Sequence, residues 1–396
     1  MNSKITIKFT KSADGYPALL VGVAWAANPL LYYIGIFADK IGIGSGFFIM
    51  LLFLFLGIKS INYLKRIITI SDIIILVSFV SVFLSTYYLF PTNKEYLDRY
   101  KDYFYLAVPY YIIGRVYSDC DMRDCLTWFS YISIAAMAVF FLFWRQQTGS
   151  LEEVEENMVS SYMILPHVLM ILLTAFKQHS IASIIFSLLG LFLILSFGTR
   201  GPLICIFIYI ALILIITPPF KHKAISYTIT VSVITVILVM FDKILEFLQG
   251  IVSSIGMSTR IFDYYTMGMI SDDSGRRDIR VAVLNALNDH LFTGLGLGGD
   301  ARVVGGYSHN VIIEILASFG VIFGSVILLL LLILFYRSFL NCRKRGQKEM
   351  WVLFVVCGFV GLMFSGTFIT SAFFYLVIGY CITLLENKRK LLTHQI

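Results

Sequence analysis

A histidine stands where a glycine-rich turn runs into a long apolar stretch, in the segment GLGLGGDARVVGGYSHNVIIEILASFG. The apolar stretch predicts a helix, so His309 lies at its start, where the positive end of the helix dipole opposes protonation of the imidazole. A neutral imidazole accepts a proton at physiological pH, which makes His309 a candidate general base with Asn310 as a supporting residue. The alternative is structural: a lone histidine at a helix start, with Asn310 and Glu314 as polar neighbours.

Four arginines offer anion-binding chemistry. Arg200, in SFGTRGPL, precedes a helix start marked by Gly-Pro, where free backbone N–H groups and the helix dipole attract an anion. Arg276 and Arg280 are one turn apart on a predicted amphipathic helix, with Arg277 nearby. The planar guanidinium suits phosphate. The structural alternatives are that Arg200 anchors a helix end by snorkelling and that the other three form a solvated face.

The sequence does not predict a metal site. The Asp119 to Asp121 segment, DCD, resembles the metal-binding pair of nucleotide-sugar transferases, but it lies in a short loop with no nucleotide-binding domain around it. The SDDSG segment fits a helix start, with Ser274 as the N-cap. Zinc-ligand spacings, a P-loop and a nucleophile elbow are absent from the sequence. We therefore expect neither a metal nor another cofactor.

The chain as a whole has the composition of a polytopic membrane protein. Of its 396 residues, 58% are hydrophobic and only 14% are charged, which is too apolar for a water-soluble fold of this size. Because a helix satisfies its own backbone hydrogen bonds in lipid, we expect an all-α fold of about twelve transmembrane helices. The predicted spans are 16–37, 42–57, 72–90, 103–117, 126–144, 161–176, 180–197, 201–219, 225–241, 309–335, 351–365 and 367–385.

The distribution of charge predicts the orientation of these helices. With the N-terminus inside, the cytoplasmic segments, counted with Asp72 and Arg115 at the edges of their spans, hold 19 of the 31 Lys and Arg residues but only 7 of the 24 acidic residues. Cytoplasmic loops characteristically carry such an excess of Lys and Arg, so both termini are expected in the cytoplasm. The net charge of +7 is then a signal of topology and calls for no nucleic-acid partner.

Residues 1–396 are expected to form a single integral membrane domain in which most connections are short. The exception is residues 242–308, a long external (periplasmic) loop that contains the predicted amphipathic helix. A loop of this length among short connections is usually functional. The loop places its arginines and then His309 on the outer face, where Arg200 is also expected.

Three motifs follow one another in the second half of the chain. They are GTRGPL after a mid-chain span, SGR followed by the GLGLG turn in the external loop, and HN entering a helix that contains Gly320. Together they resemble the O-antigen polymerase and O-antigen ligase superfamily of bacterial surface-polysaccharide enzymes. The resemblance covers residues 190–330 as motif. In that family an aromatic residue often follows the SGR arginine by one turn. Arg280 stands there in this chain, so the match of Arg276 or Arg277 to the family arginine stays open.

The resemblance implies a glycosyltransferase of the bacterial cytoplasmic (inner) membrane. Such an enzyme transfers a glycan from undecaprenyl pyrophosphate to an acceptor sugar hydroxyl, on the outer face and without metal. It implies His309 as the base, and Arg200 with the cluster of Arg276, Arg277 and Arg280 as pyrophosphate ligands. The implied partners are the lipid-linked donor and acceptor glycans, membrane lipids and a chain-length regulator.

The shared motifs leave two activities open. A polymerase transfers the glycan to a second lipid-linked repeat unit, whereas a ligase transfers it to the lipid A core of lipopolysaccharide. We favour the polymerase because polymerases are the more numerous and divergent group. A flippase for the same lipid-linked units is the rival class, but it would need polar residues along a path within the spans, where Glu314 and His167 are the main ones.

Overall fold

The computed structural model describes residues 15–40, 54–117, 120–148, 154–197, 199–217, 241–254 and 275–393. Over these ranges the chain consists of helices joined by turns, without a β-strand. This agrees with the predicted all-α class. The predicted spans 42–57 and 225–241 lie mostly outside the described residues, which include only 54–57 and 241.

The helices are continuous over most of these ranges. In chain order they are α1 (Gly15–Lys40), α2 (Ile61–Ile67), α3 (Ile70–Leu89), α4 (Lys94–Ala107), α5 (Pro109–Val116), α6 (Cys120–Thr148), α7 (Val154–Gln178), α8 (Ile181–Ser196), α9 (Arg200–Ile216), α10 (Phe241–Ser254), α11 (Arg276–Asn288), α12 (Gly299–Val304), α13 (Val311–Asn341), α14 (Arg345–Val355) and α15 (Ala372–Thr393). Residues 54–59 are also helical. α14 continues through a π-helical turn, Val356–Val360, and a 3-10 turn, Gly361–Met363.

Several helices are candidates to cross a membrane. Within the described residues, five segments are long and apolar enough: Ile70–Leu89, Met122–Leu142, Val159–Gln178, Val311–Asn341 and Arg345–Met363. Four apolar segments are shorter: Tyr16–Ala27, Ile181–Ser196, Arg200–Ile216 and Ala372–Glu386. Over the described residues the structure thus supports a helical membrane protein with five full-length candidate spans, and it does not confirm the predicted count of about twelve.

α5 and α15 pack backbone against backbone. A Cβ atom on Gly114 would overlap the carbonyl oxygen of Leu376, and one on Gly379 would overlap that of Tyr111. Small residues allow helices in lipid to approach this closely, and the gain is van der Waals contact. α1 and α4 pack against this pair, which forms the centre of the bundle.

One end of the bundle holds two buried ion clusters. In the first, Arg115 Nη2 lies 3.2 Å from Asp72 Oδ2 and 2.6 Å from Glu386 Oε2. The Tyr111 hydroxyl donates a hydrogen bond to Asp72 at 2.6 Å. The cluster ties the start of α3 to the ends of α5 and α15. Asp72 lies in a segment predicted to span the membrane, and its charge is compensated by Arg115 as a buried charge requires.

The second cluster surrounds the buried carboxylate of Glu349. Arg123 lies 3.3 Å from it, Arg345 lies 3.1 Å from it, and Lys177 forms a third ion pair. Arg345 also donates to the carbonyl oxygen of Thr217 at 3.0 Å. The start of α6, the end of α7, the end of α9 and the start of α14 therefore meet, and these are connections in which the sequence predicts an excess of basic residues.

The opposite end of the same helices carries the glycine-rich turn and His309. α3 begins in the first ion cluster and ends just before Asn93, whose side chain donates to the carbonyl oxygens of Leu295 at 2.7 Å and Leu297 at 3.1 Å. α13 begins just after His309 and ends at Asn341, next to the connection that carries the second cluster. The basic connections and the candidate site thus lie at opposite ends of the bundle.

The segment 242–308 contains three helices, α10, α11 and α12, where the sequence predicted one amphipathic helix in a long loop. Residues 255–274 lie outside the described part. α11 begins at Arg276, and its N-cap is Gly275, with φ of 77°, instead of the predicted Ser274. A left-handed backbone conformation at the capping position explains the difference, because glycine adopts it without steric cost.

Candidate functional site

The glycine-rich turn and a kink in α13 form one structural unit. Gly320, with φ of 79° and ψ of 167°, interrupts the helix and separates the N–H of Val321 from the carbonyl of Ala317, its usual helical acceptor. The turn supplies replacements for both groups. The N–H of Leu295 donates to the Ala317 carbonyl at 2.6 Å, and the N–H of Val321 donates to the Leu291 carbonyl at 2.7 Å. The first part of α13 is thereby fixed to the glycine-rich turn.

This contact requires glycine on both sides. Gly294 has φ of 67°, and a Cβ atom on it would overlap the backbone nitrogen of Gly320. A Cβ atom on Gly320 would lie 2.6 Å from the carbonyl oxygen of Phe292. Only glycine combines a positive φ with so close an approach. The GLGLG motif and Gly320, separate elements of the sequence resemblance, therefore belong to a single contact.

His309 is held between two anchored neighbours. On one side, the N–H of Ser308 donates to Oδ2 of buried Asp300 at 3.1 Å. On the other, Oδ1 of Asn310 accepts from the N–H of Ile312 at 3.0 Å and from the next N–H at 3.2 Å, which caps α13. Between them, His309 has φ of 55°, in the left-handed region that few non-glycine residues adopt. Such strain persists where the surroundings impose it, commonly at functional sites.

The surroundings of the His309 imidazole oppose its protonation. The side chain is half-buried, and its Nδ1 has no hydrogen-bond partner among the described residues. The ring of Tyr307 lies 4.3 Å from the imidazole, centroid to centroid. Burial, and then the positive charges of Arg276 and Arg280, lower the pKa of His309 from 6.5 to about 4. His309 is therefore neutral at physiological pH and able to accept a proton.

The lowered pKa can be measured directly. In purified protein with isotope-labelled histidines, the NMR signal of His309, assigned by its loss in His309→Gln, should titrate with a midpoint near pH 4. Arg280→Gln removes a positive charge that disfavours the protonated form, so the midpoint should rise. A His309 midpoint near 6.5 in the parent chain would contradict the burial and the proximity of the two arginines.

α11 brings two of its three arginines towards the histidine. Arg276 and Arg280 are half-buried and one turn apart, and both charges act on His309. Arg277, about 100° further round the helix, is exposed. Of the two arginines that the motif left open, Arg276 is therefore the one that the structure places at the site.

Arg200 reaches the same region through the start of α9. It is the first residue of the helix and half-buried, as predicted for a helix start. The next residue, Gly201, packs so closely on Tyr162 of α7 that a Cβ atom there would overlap the tyrosine hydroxyl. That hydroxyl is within electrostatic range of Arg276 and Tyr307. Tyr162 thus joins the α9 start to the arginine and histidine region.

The connection between the 3-10 turn and α15 contacts Tyr307 and Glu314, on either side of His309. The hydroxyls of Tyr307 and Ser365 are 3.2 Å apart. Glu314, a buried residue on the first turn of α13, accepts hydrogen bonds from the Thr367 hydroxyl and, at 3.1 Å, from the N–H of Phe368. Glu314 therefore holds this connection in place.

Sequence reasoning missed four residues of the site. Asp300 and Tyr307 lie close to His309 in the chain, and an acidic residue directly after a glycine-rich turn could have drawn attention to Asp300. Tyr162 on α7 and Ser365 in the connection before α15 are distant from His309 in the chain and carry no local signal. Their positions depend on the packing of α7, α9 and α14, which the sequence does not specify locally.

The arrangement provides a neutral base beside fixed positive charges and tyrosine hydroxyls. Such a site suits removal of a proton from one group next to an anionic one. Among the described residues, no group of three or more His, Cys, Asp or Glu side chains is placed to hold a metal ion.

Comparison of the chain with protein-family models, curated proteins and solved structures finds no match.

Proposed function

We propose that the protein is a glycosyltransferase that polymerises oligosaccharide repeat units carried on undecaprenyl pyrophosphate into an O-antigen, capsule or exopolysaccharide. The observation that carries the proposal is the pairing of a neutral His309 with the charges of Arg276 and Arg280 at one end of a helical bundle. Transfer from a pyrophosphate carrier needs a base for the acceptor hydroxyl and cations for the departing diphosphate. The order of the GTRGPL, SGR and HN motifs supports the same assignment.

In the proposed reaction, the acceptor sugar hydroxyl attacks the anomeric carbon of the donor. A new glycosidic C–O bond forms while the C–O bond to the diphosphate breaks, and its electron pair leaves on the diphosphate oxygen. His309 takes the hydroxyl proton. Arg200, Arg276 and Arg280 stabilise the negative charge of the departing diphosphate, which needs cations but no strong acid.

The reaction is proposed to occur on the outer face of the bacterial cytoplasmic membrane, with both termini inside. The bundle ends support this orientation, since Arg123, Lys177 and Arg345 gather around Glu349 at the end away from His309. Cytoplasmic connections are rich in Lys and Arg. Arg276 and Arg280 on α11 are half-buried basic residues on the face where few are expected, which accords with a role in binding an anion.

The proposal is tested by deleting the gene and separating the surface polysaccharide on a gel. Loss of the polymer ladder, with single repeat units still attached to the lipid A core or to their usual anchor, is the result expected of a polymerase. Complete loss of attached repeat units would identify a ligase. An unchanged ladder, with the full lengths and amounts of polymer, would rule out both.

A further inference from the structure

Two buried hydroxyls near the start of α9 have no partner among the described residues. They are the hydroxyl of Tyr162 and that of Thr199, the N-cap residue of α9. Thr199 makes no capping hydrogen bond with its side chain, although threonine commonly caps helices in this way. A buried hydroxyl without a partner is destabilising, so native proteins rarely retain one without a reason. Two such hydroxyls at one helix start are available to a bound ligand.

The chemistry around the two hydroxyls favours an anion. The positive end of α9, a helix of 17 residues, carries Thr199, and Tyr162 packs against its second residue, Gly201. Arg200 begins the helix, and Arg276 is within electrostatic range of the Tyr162 hydroxyl. Hydroxyl donors, helix N–H groups and guanidinium groups together form the kind of donor set that binds phosphate oxygens.

We propose that the Tyr162 hydroxyl donates a hydrogen bond to a phosphate oxygen of the lipid-linked donor, in a diphosphate subsite completed by Thr199 and the first turn of α9. This inference rests on the proposed function and adds to it a binding group that carries no charge. The arginines neutralise the diphosphate, whereas Tyr162 and Thr199 fix the position of one of its phosphates at the helix end.

The experiment compares Tyr162→Phe with Tyr209→Phe in the purified full chain. Tyr209 also has a buried hydroxyl without a described partner, but it lies within electrostatic range of Glu349 and Arg123, at the opposite end of the bundle. The probe is undecaprenyl pyrophosphate without a glycan, and undecaprenol, which lacks phosphate, is the reference ligand. Dissociation constants and melting temperatures are measured for the parent chain and both variants.

Tyr162→Phe should weaken binding of undecaprenyl pyrophosphate about 10- to 100-fold, the effect of losing a hydrogen bond to a charged group. Binding of undecaprenol should not change. Because the hydroxyl has no described partner, its removal should leave the melting temperature unchanged or raise it. Tyr209→Phe should bind both lipids like the parent chain.

Equal affinity of Tyr162→Phe and the parent chain for undecaprenyl pyrophosphate would overturn the inference and leave the proposed function standing. So would a lowered melting temperature in Tyr162→Phe, because it would mean that the hydroxyl already has a partner within the protein. A parent chain that binds undecaprenyl pyrophosphate no better than undecaprenol would instead overturn the proposed function itself.

Discussion

Replacing His309 with glutamine is expected to reduce glycan transfer by about 10²- to 10⁴-fold, the range that general-base catalysis contributes. Glutamine keeps the size and the hydrogen-bonding capacity of histidine but cannot take a proton near neutral pH. Asp300 and Asn310 anchor the backbone on either side of His309, so the protein should still fold. Affinity for the undecaprenyl pyrophosphate glycan should survive, because the arginines that hold the diphosphate are unchanged.

The measurement is the single-turnover rate of purified protein, alongside its melting temperature and donor affinity. His290→Gln is the matched control, since His290 is an exposed histidine just after α11 and should transfer glycan at the parent rate. If His309 is only structural, the loss of activity in His309→Gln will follow a loss of folded protein. Near-normal turnover of a well-folded His309→Gln would exclude His309 as the base.

The second large effect is expected from Arg276→Lys and Arg200→Lys, each about 10²-fold on transfer. Lysine keeps the positive charge but presents it at a single point, whereas guanidinium makes two parallel hydrogen bonds to a phosphate. Loss of one preorganised donor to a developing negative charge commonly costs 10² or more in rate. Rates of glycan transfer at equal amounts of folded protein measure the effect.

Arg277→Lys provides the internal control for these substitutions. Arg277 neighbours Arg276 in sequence but is exposed, so its replacement by lysine should leave transfer close to the parent rate. The reverse pattern, with Arg277→Lys inactive and Arg276→Lys active, would mean that α11 faces the site with a different side. Normal transfer by all three lysine variants would remove the arginines from the donor site.

The helical class and the shared face of Arg276 and Arg280 could be predicted from the sequence because both depend on local patterns. Hydrophobic stretches predict helices in lipid, and the spacing of Arg276 and Arg280 predicts their shared face. The prediction of a neutral His309 agrees with its lowered pKa, although the causes found in the structure are burial and the two arginines, where the sequence argument invoked the helix dipole. Burial depends on tertiary packing, which the sequence pattern does not contain.

Contacts between distant segments were beyond sequence reasoning. The pairing of Leu295 with Ala317 across the Gly320 kink joins two motifs that look independent in the chain. The placement of Tyr162 against the start of α9 likewise depends on how α7 and α9 pack. The start of α11 was also predicted one residue too early. Ser274 was expected as the N-cap, but the N-cap is Gly275, because the local signal for a cap does not reveal a left-handed backbone.

The most direct test of the central claim is transfer by the purified protein alone. The chain is incubated in detergent or liposomes with undecaprenyl pyrophosphate carrying one oligosaccharide repeat unit, and the lipid-linked products are separated by mass. The proposed function predicts lipid-linked glycans of two and more repeat units, with one undecaprenyl pyrophosphate released for each unit added. The assay uses the donor taken from the native host and folded protein. If the parent chain then makes no longer glycans, the proposed function is contradicted.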